Sequence, residues 1–204
     1  MGAVIAPTLI KESQVEPLGE VLGRAFFKAP LHKYFIPDDA ERRRFLPQFF
    51  RRLVRMGYLF GETYATPDST GMAFWIRPGE ILGDEQNERA GLNEIPAICG
   101  EEPFARVSIV FDAIAGLHKE HATDDHWYLQ LLGVDVPLQA QGVGSALLQP
   151  VLEKADADGV TCYTDTANPK NVPFYRHHGF EIVVDMIEPS SGLRLWFFRR
   201  EPRR

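Results

Sequence analysis

The chain has 204 residues, 45% of them hydrophobic and 25% charged, with a formal net charge of −6. At about 150 residues per domain this is one globular domain with enough chain to bury a core, which excludes a disordered tail or a disulfide-stapled miniprotein. The acidic balance also argues against a nucleic-acid-binding surface.

The first residues, Met1-Gly2-Ala3-Val4-Ile5-Ala6-Pro7, lack the basic and long apolar regions of a signal peptide, and Ala6 breaks the myristoylation pattern begun by Gly2. No apolar run reaches the roughly 20 residues of a bilayer span, so the expectation is a cytoplasmic protein with no membrane partner. Residues 8–11 read as a short strand. Ser13-Gln14-Val15-Glu16 reads as a capping box with Pro17 in the first turn, opening a helix to about Phe27 that turns Val21, Leu22, Ala25 and Phe26 inward. Asp38 or Asp39 caps a second helix to about Met56, with a kink or a break into two pieces at Pro47, and Gly57 ends it.

That second helix carries Arg42, Arg43, Arg44, Arg51, Arg52 and Arg55 and, from 42 to 55, no acid. It reads as a solvated basic face. Phe26, Phe27, Tyr34, Phe35, Phe49 and Phe50 read mostly as core, with one or two of them bordering a cleft. Residues 59–66 and 72–76 flank Pro67-Asp68-Ser69-Thr70-Gly71 as a hairpin. The stretch 77–125 is irregular, with helices expected near 87–98 and 104–118. It is the place for a variable, substrate-specific wall. Its His118 and His121, with His126, fit no zinc spacing, and no metal is expected. Cys99 and Cys162 form no CxxC pair and read as reduced packing residues.

The last eighty residues are the clearest. Residues 127–134 (WYLQLLGV) form a strand buried on both faces. Val143, Leu147, Leu148, Val151, Leu152 and Ala155 share one helical face that continues past Pro150, and Gly159 ends it. A strand at 160–165, a short helix at 171–178 and strands at 181–187 and 193–200 follow. The order implies an α/β fold with a mixed sheet.

Gln139-Ala140-Gln141-Gly142-Val143-Gly144-Ser145 lies between the strand and the helix. A glycine-bearing turn at a helix N-terminus aims unpaired N–H groups and about half a positive charge at one point, as a phosphate needs. There is no GxxxxGK[ST], and Leu147 stands where the third glycine of GxGxxG would be, so neither nucleotide fingerprint fits.

The segment Gln139-x-x-Gly142-x-Gly144 resembles the acyl-CoA loop of the GNAT superfamily of N-acetyltransferases. Asn171-Val172-Pro173-Phe174-Tyr175-Arg176-His177-His178-Gly179-Phe180 is similar to a second segment of that family, and His126-Trp127-Tyr128-Leu129 and residues 73–79 (AFWIRPG) look like its puromycin acetyltransferase-like branch. The resemblance is specific over 126–200 and one of element order over 1–76. It implies one N-acetyltransferase domain over 1–204, with a mixed, mostly antiparallel central sheet splayed into a V and flanked by helices. It further implies acetyl-CoA as cosubstrate, held at its pyrophosphate by Gln141, Gly142, Val143, Gly144 and Ser145 with Gln139 bracing the loop. Leu132, Gly133 and Val134 would pair with the pantetheine arm, and Asn171 would contact the cosubstrate. Ala140 stands where the family often has glycine, which matters if its φ is positive.

In this chemistry an amine attacks the thioester directly. Tyr175 is the expected acid toward the leaving thiolate. The strand at 126–134 offers no carboxylate, so the base is His126, Asp165 or a water chain. The partner implied is a small-molecule primary amine, and pairing of two copies through the C-terminal strands, common among similar proteins, is left open. The competing reading is a catalytically idle acyl-CoA-binding sensor or scaffold, and a weaker one is a nucleotide-binding protein.

Overall fold

The structure, a computed structural model, describes residues 6–203, so the readings at Gly2 and the extreme N-terminus lie outside the described residues. Seven strands make one sheet: β1 (Thr8–Leu9), β2 (Glu62–Ala65), β3 (Gly71–Ile76), β4 (His126–Val134), β5 (Thr161–Thr166), β6 (Glu181–Ile187) and β7 (Arg194–Arg200). Their order is β1-β2-β3-β4-β5-β7-β6, antiparallel throughout except for the parallel central pair β4–β5. The helices are α1 (Val15–Phe26), α2 (Pro30–Phe35), α3 (Asp39–Phe60), α4 (Asp84–Ala90), α5 (Ile95–Cys99), α6 (Glu101–His121), α7 (Val143–Asp158) and α8 (Val172–His177). This is the GNAT fold, and none of the helices is long and apolar enough to cross a membrane.

The parallel ladder is short. It pairs His126 with Thr161, Trp127 with Cys162, Tyr128 with Tyr163 and Leu129 with Thr164, and stops there. Beyond it β4 stays on β3 to Val134, while Asp165 and Thr166 stay on β7. The sheet therefore opens between β4 and β5. A bulge marks the opening, because Trp75 pairs with Leu129 but Phe74 pairs with Leu131, leaving Gln130 unpaired. The extra residue reverses the alternation of side chains. Leu129 packs with α7, whereas Leu131 packs on the opposite face with α1 and α3.

Two layers of helices cover the sheet. The α1–α3 layer buries Leu18, Leu22, Phe45, Phe50 and Val54 against Met72, Phe74 and Leu131, and α7 buries Leu147, Leu148 and Val151 against Ala73, Trp75 and Leu129. Close approach in the first layer requires glycine. A Cβ at Gly19 would stand 3.0 Å from the Arg51 backbone and one at Gly23 2.9 Å from Pro47 Cγ, so α1 lies directly on α3.

Several sequence expectations need correction here. The residue that ties down the start of α1 is Gln14, whose Oε1 accepts from the Lys11 N–H at 3.1 Å while its Nε2 donates to the Thr66 carbonyl at 2.9 Å. Ser13 makes no capping bond there. Helix α3 is capped by Asp38, which accepts from Ala40 and Glu41, but it runs through Pro47 and past Gly57 to Phe60. Gly57 is small for contact rather than as a stop, since its Cβ would meet Thr63 Oγ1 and Phe74. Helix α2 was not foreseen, and 77–125 holds three helices rather than two. The basic face is only partly solvated. Arg42 is buried, donating to the carbonyls of Phe27, Ile36 and Pro37 and pairing with Asp39, while Arg51 and Arg52 pair with Glu16 and Glu94. Cys99 and Cys162 form no disulfide.

Candidate active site

The end of β4 leads through Asp135 into the Gln139–Ser145 turn. Asp135 accepts from the Val136 N–H at 2.9 Å and forms a two-pronged ion pair with Arg24 of α1, the closer contact at 2.7 Å. That hydrogen-bonded guanidinium holds the Asp135 carboxyl below the usual carboxylate range. Gln139 Nε2 donates to the Val134 carbonyl at 3.0 Å, and Gln141 Nε2 donates to the Pro137 carbonyl at 2.7 Å. The turn is thus fastened at both ends by side chains, which leaves its amides free of that task.

Gly142, at φ 83°, is the N-cap of α7, and a Cβ there would meet open space. Ala140 is also left-handed, at φ 59°. The N–H groups of Gln141, Gly142, Val143, Gly144 and Ser145 have no hydrogen-bond partner among the described residues. At the N-terminus of a 16-residue helix they form a concave set of donors suited to an anion. Ser145 Oγ lies 2.9 Å from Nε2 of His178, the residue that ends α8.

Across the opening, Asn171 Nδ2 donates to Thr166 Oγ1 at 3.1 Å, fixing the start of α8 at the end of β5. Leu132 is half-buried and Val134 buried on the α7 side of β4. Gly133 points the other way, where a Cβ would collide with the Leu22 side chain and approach Phe26 to 3.0 Å. Its smallness thus serves the seating of α1.

Three polar side chains lie near the end of the parallel ladder. Tyr175, buried on α8, lies beside Thr164, and burial, then the charge of Asp165, pushes its phenol above the ordinary value. Asp165, the first β5 residue beyond the parallel ladder, has its carboxyl raised to about 6 by burial, against the lowering effect of a hydrogen bond from the Tyr128 hydroxyl. Tyr128, two ladder positions back on β4, is itself pushed well up by burial and by Asp165.

His126 is not in this group. It starts β4, three residues before Leu129 and therefore about 10 Å away along the strand. Both its nitrogens are engaged, Nε2 at 2.6 Å from His118 Nε2 and Nδ1 at 2.5 Å from the Asp124 carbonyl. Burial, then His126, lowers His118 to about 4, and its ring stacks on Tyr128 at 4.4 Å between centroids.

Residues 99–180 match the model of the Acetyltransferase (GNAT) family. An uncharacterized N-acetyltransferase of Schizosaccharomyces pombe is 28% identical over 189 residues, which cover 87% of this chain and 76% of that one. The solved Corynebacterium glutamicum protein named histone acetyltransferase HPA2 and related acetyltransferase superposes with a TM-score of 0.62 at 17% identity, over 98% of this chain and 97% of its own. Arylalkylamine N-acetyltransferase 2 from Aedes aegypti gives 0.61 at 17% identity, over 98% and 100%. The GNAT family model thus matches the segment from the end of α5 to just past α8, and the chain shares its fold with these solved acetyltransferases.

Proposed function

We propose that this protein is an N-acetyltransferase that moves the acetyl group of acetyl-CoA to a primary amine of a small molecule by direct attack on the thioester. The observation that carries the reading is the coincidence of three features at one opening of the sheet. Unpartnered amides crown α7, the β4 edge is released from β5 beyond Leu129, and Tyr175 and Asp165 lie near the end of the parallel ladder. The donor set fits a pyrophosphate, and the freed edge around Leu132 and Val134 fits a chain with two amides that can add to a sheet. Asn171, at the far wall, is placed to meet the same arm.

Each step then has a residue. Asp165, ionised at neutral pH, takes the proton released as the amine nitrogen bonds to the acetyl carbon. Tyr175, whose phenol stays protonated, gives its proton to the sulfur as the carbon–sulfur bond breaks. Asp165 gives up the proton it gains, and Tyr175 regains one, through solvent as the products leave. His126 is set aside as base because of its distance and its engaged nitrogens. The similarity to an arylalkylamine N-acetyltransferase supports an amine acceptor, and the motifs at 73–79 and 126–129 support the puromycin acetyltransferase-like branch.

Calorimetric titration with acetyl-CoA, free CoA, ATP and NAD tests the reading, followed by a panel of amines for transfer. Binding of acetyl-CoA without NAD, then amine-dependent release of CoA, is expected. Failure to bind any CoA species sinks it. Binding with no turnover on any amine would leave the idle sensor in its place.

A further inference from the structure

Near the end of the parallel ladder is one polar group that the proposed steps leave unused. Tyr128 is buried on β4, and its hydroxyl donates to the Asp165 carboxylate across the last rungs of the parallel ladder. We propose that Tyr128 is the positioning residue of this site, aiming the Asp165 carboxylate into the opening and keeping it ionised for proton transfer. The proposal rests on the reading of Asp165 as the base.

Three observations converge on it. The Tyr128 ring is held from behind by His118 of α6, stacked at 4.4 Å and 16°, so the phenol has little freedom to swing away. The bulge at Gln130 follows two residues later, so Tyr128 lies in the regular, rigid part of β4 just before the sheet opens. Asp165 receives no hydrogen bond from a cationic side chain or from a backbone N–H outside the ladder among the described residues. The Tyr128 hydroxyl is therefore the donor that offsets the cost of a carboxylate in a low-dielectric pocket.

The groups facing Asp165 are few. Tyr128 faces it from β4 and β7 presents Phe197, while Tyr175 of α8, packed against Phe198, is coupled to it only through charge. His118 of α6 reaches it only through the Tyr128 ring. Tyr128 keeps its proton throughout. It donates a hydrogen bond to the carboxylate before transfer and accepts or releases no proton in the reaction.

The experiment follows the Asp165 carboxyl carbon by NMR in the free protein labelled with ¹³C-aspartate, with Asp165→Asn identifying the resonance. In Tyr128→Phe the titration midpoint should move up by about one pH unit, because a hydrogen bond to the charged form is lost. The acidic limb of the kcat/KM profile should move with it. In a second variant 3-fluorotyrosine replaces Tyr128, exchanging one ring hydrogen for fluorine and strengthening the donor, and the midpoint should move down. Unchanged midpoints overturn the proposal. So does a moved midpoint with an unmoved acidic limb, because Asp165 would then not be the group that the rate reads. An inactive wild-type protein would overturn the underlying reading, and the titration of the free protein separates that failure from a failure of the Tyr128–Asp165 coupling.

Discussion

Leu129 and Thr164 face each other across the last rung of the sheet's parallel ladder, with Thr164 Oγ1 donating to the Leu129 carbonyl at 3.1 Å. One residue further, Gln130 bulges out of β4 and Asp165 turns to Tyr128, so this side-chain bond closes the paired half of the sheet where the open half begins. Thr164→Val keeps the shape but leaves a buried carbonyl without this donor. The expected cost is about 1–3 kcal/mol, read by chemical denaturation. Because Tyr175 lies beside Thr164, turnover should fall as well, with acetyl-CoA affinity much less affected.

Ala140 and Gly142 share a left-handed backbone in one turn, but only one of them is glycine. An L-residue at φ 59° costs roughly 1–2 kcal/mol, so Ala140→Gly should relieve strain and raise stability by up to about 1 kcal/mol. Gly142→Ala should do the reverse, and since its Cβ would meet no atom, the cost is conformational and not steric. By calorimetry Gly142→Ala should weaken acetyl-CoA binding roughly 5- to 10-fold, as about 1 kcal/mol implies. Equal affinity for wild type and Gly142→Ala would detach the turn from cosubstrate binding.

Tyr175 separates chemistry from binding. Tyr175→Phe removes the phenolic proton without emptying the pocket between Phe180 and Phe198. The kcat should drop about 10²-fold or more while the acetyl-CoA Kd stays within about 2-fold, measured by CoA release and by calorimetry. A parallel loss of affinity would mean that the ring, not the hydroxyl, is what the site requires.

The helical and strand periodicities around this site were legible because each is local. The apolar run of β4, the single face of α7 and the glycine turn between them can be read within a few residues. The opening of the sheet could not be read that way. It depends on a bulge at Gln130 defined by β3, and on a Tyr128–Asp165 bond between residues 37 apart in the chain. Gly133 looked like part of a cosubstrate motif, but its structural reason, the Leu22 side chain, lies on a helix more than a hundred residues earlier. Arg42 looked like its neighbours on a basic helix, because nothing local distinguishes the one arginine that turns inward to three carbonyls.

That arginine gives a stability prediction. Arg42 is 1% exposed and its guanidinium satisfies the carbonyls of Phe27, Ile36 and Pro37, which end α1 and follow α2. Arg42→Met keeps most of the volume and strands those acceptors. A loss of about 3 kcal/mol or more is expected, with α2 exchanging its amide hydrogens faster than α7. Arg43→Met, on the exposed side of the same helix, should change stability by less than about 0.5 kcal/mol.

Asp165 sets function against stability. Its carboxyl titrates at about 6 in the folded chain, above the ordinary carboxylate value, because burial penalises the charge. The sign follows from linkage. A raised carboxyl pKa means the native state binds its proton more tightly than the unfolded chain, so this contribution to stability is fully present below about pH 4 and is lost as pH rises through about 6. At pH 7 the fold carries an ionised, half-buried carboxylate at a net cost. Asp165→Asn should therefore raise the Tm at pH 7 by a few degrees, at about 2–4 °C per kcal/mol for a chain of this size, with the gain shrinking toward pH 4. Acetyl transfer by the same variant should fall about 10²-fold or more, and wild-type kcat/KM should rise as pH passes about 6. A more stable, inactive Asn variant is the result expected of a base held in a pocket that disfavours its charge. A destabilised variant at pH 7 would show instead that the ionised carboxylate holds this end of the ladder together, with Tyr128 as its structural partner.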